Sequence, residues 1–201
     1  MSKQRVLIAA AAMLMLGLRA EAATDLSFCT VCHGANGNGN PAIRAPKIAG
    51  MEPWYVKRQL EAFKAGLRGT NPNDAAGTEM QPMAASLHED AMLDQVVAYV
   101  ATFKPKSPPI TVTGDIARGK QFYETCAACH GTRGEGNREQ NAPALAQRTD
   151  WYLVTQLQNY MNGLRGAQSQ DVLGAQMRAV STSLPDAQAA IDVVAYINTM
   201  R

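Results

Sequence analysis

An all-α fold made of two tandem copies of one small domain is what this sequence predicts, on three observations. Cys-x-x-Cys-His occurs twice, as Cys29-Thr-Val-Cys32-His33 and Cys126-Ala-Ala-Cys129-His130, and the two copies use all 4 cysteines. Shifting the chain by 97 positions superposes the halves without a gap from Cys29 to Met200, the mark of an internal duplication. Apolar residues recur at helical spacing in both halves, and no convincing pair of alternating strands is found.

In chain order, the first element is a leader. Lys3 and Arg5 precede the apolar run Val6 to Leu18 and then Ala20-Glu21-Ala22, the pattern of a secretory signal peptide with an A-x-A cleavage site after Ala22. The apolar run falls short of the roughly 20 residues a membrane helix needs. Without residues 1–22 the chain carries 16 basic and 16 acidic side chains, so the net charge of +2 for the whole sequence gives way to neutrality. No basic surface of the kind that binds nucleic acid is left.

Next come the motifs. Cys-x-x-Cys-His is the attachment signature of c-type haem, because two thiols one helical turn apart can form thioethers with two vinyl groups while the adjacent imidazole faces the iron. Zinc ribbons and thioredoxin-type sites share the cysteine spacing without needing the histidine. A ribbon would also place its second pair roughly 15 to 20 residues from the first. Two haem c groups are therefore expected, held by Cys29, Cys32, Cys126 and Cys129, with His33 and His130 on the irons. The runs Gly34 to Asn40 and Gly131 to Asn137 read as tight turns past the haem edge.

Beyond the turns, Val56, Leu60, Phe63 and Leu67 predict a helix with one apolar face, repeated by Leu153, Leu157, Tyr160 and Leu164. Each half then offers a methionine at the same register. Met80 falls on Met177, in the contexts Gly77-Thr-Glu-Met80 and Gly174-Ala-Gln-Met177, each followed by a helix-like stretch. Met83 falls on Val180. A thioether opposite an imidazole is a common axial set for cytochromes c and raises the potential, so Met80 and Met177 are expected to be the second axial ligands. His88 falls on Pro185 and reads as a solvated side chain at a helix entrance. Closing helices follow over Asp90 to Phe103 and Asp186 to Met200. Between the halves, residues 104–114 hold several prolines, which favour an extended, stiff segment. This gives a leader at 1–22, domains at 23–103 and 115–201, and a linker at 104–114.

These features together resemble the dihaem cytochrome c4 family, built from two class I cytochrome c domains. The resemblance rests on both haem motifs and on Ala45-Pro46-Lys-Ile-Ala-Gly50 with Ala142-Pro143-Ala-Leu-Ala146. It rests also on the paired Gln-Leu-x-x-aromatic-x-x-Gly-Leu-Arg runs and the two late methionines. It implies that the carbonyls of Pro46 and Pro143 accept the second imidazole N–H, which fixes the tautomer. It further implies that the haem propionate edges face each other, with Trp54, Trp151, Arg68 and Arg165 as candidates for hydrogen-bonding the propionates. Family domains open with a helix before the motif. The second half has one over Asp115 to Thr125, whereas cleavage after Ala22 leaves the first half only Ala23 to Phe28. Val96, Tyr99 and Val100 are then expected to lack cover and to form a docking face.

The functional expectation is an exported, periplasmic electron carrier. It would take electrons from a quinol-oxidising complex or a dehydrogenase and deliver them to a terminal oxidase or similar acceptor. The alternative is a dedicated dihaem subunit of an oxidoreductase complex, such as a flavin-containing sulfide dehydrogenase. A partner or an uncleaved leader would then tie the protein to the membrane. A dihaem peroxidase or thiosulfate dehydrogenase would need an open or unusually ligated iron, whereas both halves offer methionine. Differences between the halves at Gly50 and Gln147, Lys47 and Ala144, and Met83 and Val180 predict two unequal potentials.

Overall fold

The computed structural model describes residues 25–201, so the leader expected at 1–22 lies outside the described residues. The described chain is helical, and its only β pairing is two isolated bridges, Asn40 to Ala45 and Asn137 to Ala142. Those bridges are 97 positions apart, so the duplication holds down to a single backbone pair.

Both haem motifs end a helix, α1 (Phe28–His33) and, after the linker, α5 (Ile116–His130). Gly34 and Gly131 stop them at φ 79° and 81°, where a side chain is strained. Each loop then folds back, with Gly39 N–H and Gly136 N–H donating to the carbonyls of His33 and His130 at 2.8 Å. A Cβ on Gly39 or Gly136 would lie 2.7 or 2.5 Å from the backbone nitrogen of Lys47 or Ala144. Glycine is required here, because this close approach returns Pro46 and Pro143 to the imidazoles.

The middle helices are α2 (Pro53–Lys64) and its copy α6 (Asp150–Met161), followed by α3 (Ala75–Ala85) and α7 (Val172–Ser181). The carboxylates of Asp74 and Asp171 cap α3 and α7 by accepting the N–H of Gly77 and Gly174 at 3.0 and 2.9 Å. These caps start both helices upstream of the methionines. Met80 and Met177 thus lie inside α3 and α7, not ahead of a helix as the sequence suggested. The closing helices are α4 (Asp90–Ala101) and α8 (Ala187–Ile197), the latter continued by a 3-10 turn to Met200.

Each half has its own core. Val56, Leu60 and Phe63 of α2 meet Leu93, Val96 and Val100 of α4, and Leu157 of α6 meets Val193, Val194 and Ile197 of α8 with Tyr123 of α5. In the second half α5 crosses α8 so closely that a Cβ on Gly119 would sit 1.9 Å from the carbonyl oxygen of Asp192. Tyr123 packs edge-on against Tyr196, ring centroids 5.4 Å apart. Gly119→Ala should therefore force the helices apart and destabilise the second half by about 1–3 kcal/mol. Chemical denaturation of the holoprotein, followed at each half separately, checks this, and the first half should be unaffected.

Of the face expected on α4, two members lie inside the first half. Val96 and Val100 are each 3% exposed and point into their own core. Tyr99 is half-buried and packs edge-on against Phe103 at 4.9 Å.

The linker is extended and tied down along its length. Asn38 accepts from Lys106 N–H at 2.9 Å on the first half. On the second, the fully buried carboxylate of Asp150 accepts from Thr111 N–H, the Thr111 hydroxyl and Val112 N–H at 2.6, 2.7 and 3.0 Å. Across the boundary Glu52 accepts from Ala144 N–H at 2.8 Å and pairs with Arg148 at 3.0 Å, while Arg148 also donates to the Gly50 carbonyl. The halves are packed together, which places their two sites on a common boundary.

Candidate functional site

The imidazole of His33 makes a 2.7 Å hydrogen bond through Nδ1 to the Pro46 carbonyl, and His130 does the same with Pro143, also at 2.7 Å. A carbonyl can only accept, so Nδ1 carries the proton and Nε2 is left with a free lone pair. Burial pushes both imidazoles below their ordinary pKa, which keeps that lone pair available at neutral pH. Burial also pushes the Cys126 thiol up to about 11 and raises that of Cys29. Cys32 and Cys129 are exposed, so in each motif one sulfur faces the interior and the other the rim.

In the second half these groups wall a cavity of about 480 Å³. Cys126, Cys129, His130, Pro143 and Met177 of α7 all border it, with Leu153, Leu157, Val193 and Ile197 as apolar wall. In the first half Met80 is half-buried against the core that Cys29 also joins. The donor set and the apolar wall fit a covalently held haem, since thiols, an imidazole and a thioether border one cavity. Met83 is 40% exposed and His88 is exposed.

The wall of the cavity nearest the boundary belongs partly to the first half, through Tyr55, Arg58, Gln59 and Arg68. Arg68 and Arg165 are 7% and 6% exposed. The side-chain carbonyl of Gln59 accepts from Arg68 at 2.8 Å and from Arg165 at 2.6 Å, and that of Gln156 accepts from Arg165 at 2.8 Å and from Arg68 at 2.9 Å. Arg68 also donates to the Tyr152 hydroxyl at 2.9 Å. The result is a closed ring of two glutamines and two arginines across the boundary, each member matched by its copy 97 residues away. Nε of Arg68 is buried without a partner among the described residues, as suits a cation waiting for an anionic group.

Trp54 and Trp151 are not among the residues that line the cavity. Each packs edge-on against its neighbouring tyrosine, at 5.8 and 6.2 Å, and Tyr55 and Tyr152 reach the cavity. The two glutamines of the ring were visible in the sequence only as part of a repeated run. Nothing in a linear pattern shows that the two runs meet face to face.

The cytochrome c family model matches residues 20–104 and again 116–201. A thiosulfate dehydrogenase electron acceptor from Stutzerimonas stutzeri (strain A1501) is 29% identical over 197 residues, 87% of either chain. Among solved structures, a cytochrome c4 from Acidithiobacillus ferrooxidans superposes with a TM-score of 0.69 at 26% identity, over 86% of this chain and 99% of its own. A thiosulfate dehydrogenase from Marichromatium purpuratum superposes with a TM-score of 0.68 at 31% identity, over 85% of this chain and 36% of that one.

Proposed function

The chain belongs to the cytochrome c family, as a dihaem electron-transfer protein of the cytochrome c4 arrangement with two covalently bound haem c groups, and on that premise we propose that it is a periplasmic carrier linking a dehydrogenase or quinol-oxidising complex to a terminal oxidase or similar acceptor. Each haem, when bound, supplies one-electron exchange at iron. The observation that carries the reading is the pairing in each half of a hydrogen-bonded imidazole with a methionine at one register, which would give each iron a nitrogen and a sulfur ligand. His33 and Met80 serve the first iron, His130 and Met177 the second. Pro46 and Pro143 hold the imidazole tautomer and raise ligand basicity.

The remaining residues exclude water and set charge. Apolar side chains from α6 and α8 line the second cavity, and Arg68 and Arg165 offer buried cations to the propionates, with Trp54 and Trp151 as further candidate donors. The domains are 23–103 and 115–201, strapped by 104–114, behind an export leader at 1–22. No helix among the described residues is long and apolar enough to cross a membrane.

For the donor, a dehydrogenase of inorganic sulfur compounds is favoured, because one relative is named as the acceptor of such an enzyme and another match is such an enzyme itself. That is close to the reading of a dedicated oxidoreductase partner. Stopped-flow mixing with a thiosulfate dehydrogenase and thiosulfate should reduce both haems, and a quinol-oxidising complex should do so more slowly. Carbon monoxide should leave the reduced spectrum unchanged, since neither iron has a free position. A carbon monoxide shift together with peroxide turnover would replace the carrier by the peroxidase reading.

A further inference from the structure

The halves are near copies, so a charged contact that one makes to the other's site without receiving its equivalent is a functional asymmetry. Arg58 makes such a contact. From α2 of the first half it lies over the rings of Trp54 and Tyr55, 5.0 and 5.2 Å from their centroids. It donates to the Asn141 carbonyl of the second half at 2.9 Å. It borders the same cavity as Cys129, His130 and Met177.

Nothing is returned. The residue 97 positions after Arg58 is Thr155, whose hydroxyl turns back to the Trp151 carbonyl at 2.9 Å. The counterpart of Asn141 is Arg44, and its guanidinium pairs with Glu79, so the cation there stands beside its own anion. The other charges around the second cavity do not cancel Arg58. Arg68 and Arg165 are copies of each other joined in one ring across the boundary, Asp171 is matched by Asp74 as a helix cap, and Glu52 is paired with Arg148. Glu61 also borders the cavity but is exposed, where water screens it. Among the described residues no carboxylate lies within ion-pair distance of Arg58.

We propose that Arg58 is a positioning residue lent by the first domain to the second, where its fixed positive charge holds the second haem's potential above the first's. A cation in a poorly solvated wall favours the reduced iron, which carries one positive charge less. The two rings and the Asn141 carbonyl keep the guanidinium in place, and arginine remains charged at any working pH. An electron shared by the two haems therefore resides on the second. This rests on the reading of two His–Met haems given above.

The test is a spectroscopic redox titration of the holoprotein, in which the wave that Met177→Ala drives to low potential identifies the second haem. Arg58→Gln should lower that wave alone and shift the internal electron-sharing equilibrium about tenfold toward the first haem, about 59 mV for one electron. Arg58→Lys, which keeps the charge, should retain most of the separation, and Thr155→Arg should raise the other wave. An unmoved second wave in Arg58→Gln overturns the proposal, as does an equal displacement of both waves, which would mark a merely structural role. Failure of the underlying reading looks different, because Met177→Ala would then move neither wave.

Discussion

Met177→Ala should leave the second haem covalently attached while removing its iron–sulfur bond. Attachment depends on Cys126 and Cys129 of α5, and the methionine belongs to another helix, α7, so the two functions separate. Loss of the thioether should halve the near-infrared sulfur-to-iron charge-transfer band of the oxidised protein. It should also lower one potential by a sizeable part of the roughly 0.8 V that axial ligation spans. Met80→Ala should do the same to the first haem, and the double variant should abolish the band. Met83→Ala and His88→Ala are the controls, since both side chains are solvent-exposed. A full-amplitude band in either single variant would reassign that ligand.

The sequence carried this much because haem attachment is local chemistry. Two cysteines and a histidine within five residues need only one helical turn to converge, so Cys29 to His33 and Cys126 to His130 could be read directly. The methionines needed the internal repeat, which singled out Met80 and Met177 where composition offered ten. Their place inside α3 and α7 was less visible, because the helices start at Asp74 and Asp171, whose capping role depends on a backbone turn that spacing does not display. Pro82 within α3 further obscured that helix.

The boundary between the halves was not legible. A repeat shows that two surfaces are alike and says nothing of whether they meet. Arg68 and Arg165 stood out as a matched pair, yet the bonding of each to the other half's glutamine follows from a relative orientation that only the folded chain fixes. How far the face expected on α4 is covered was illegible for a related reason. Whether Val96 and Val100 are covered is decided by the whole packing of the half, including Phe103, and not by the opening helix alone.

That boundary is where the second large effect is expected. Gln59 and Gln156 each accept from both arginines, so the double variant Gln59→Ala, Gln156→Ala removes four charge-assisted bonds, the two that cross the boundary and the two within the halves that hold the glutamines in place. Such bonds are worth about 1.5–3 kcal/mol each, and because they share partners their sum overstates the cost. A loss of about 3–6 kcal/mol from domain docking is expected, enough to split one cooperative melt into two transitions. The arginines keep some support from the rings beneath them, Phe63 at 4.5 Å from Arg68 and Tyr160 at 4.6 Å from Arg165, which holds each domain's own fold together. Gln59→Glu, Gln156→Glu separates docking from redox tuning. A carboxylate accepts the same bonds, so docking should survive, but it also neutralises the buried cations that an amide leaves uncompensated. Both haem potentials should then fall together while the melt stays single. If the alanine pair melts as the wild type does, the ring does not join the domains. If the glutamate pair leaves both potentials in place, its cations do not act on the haems.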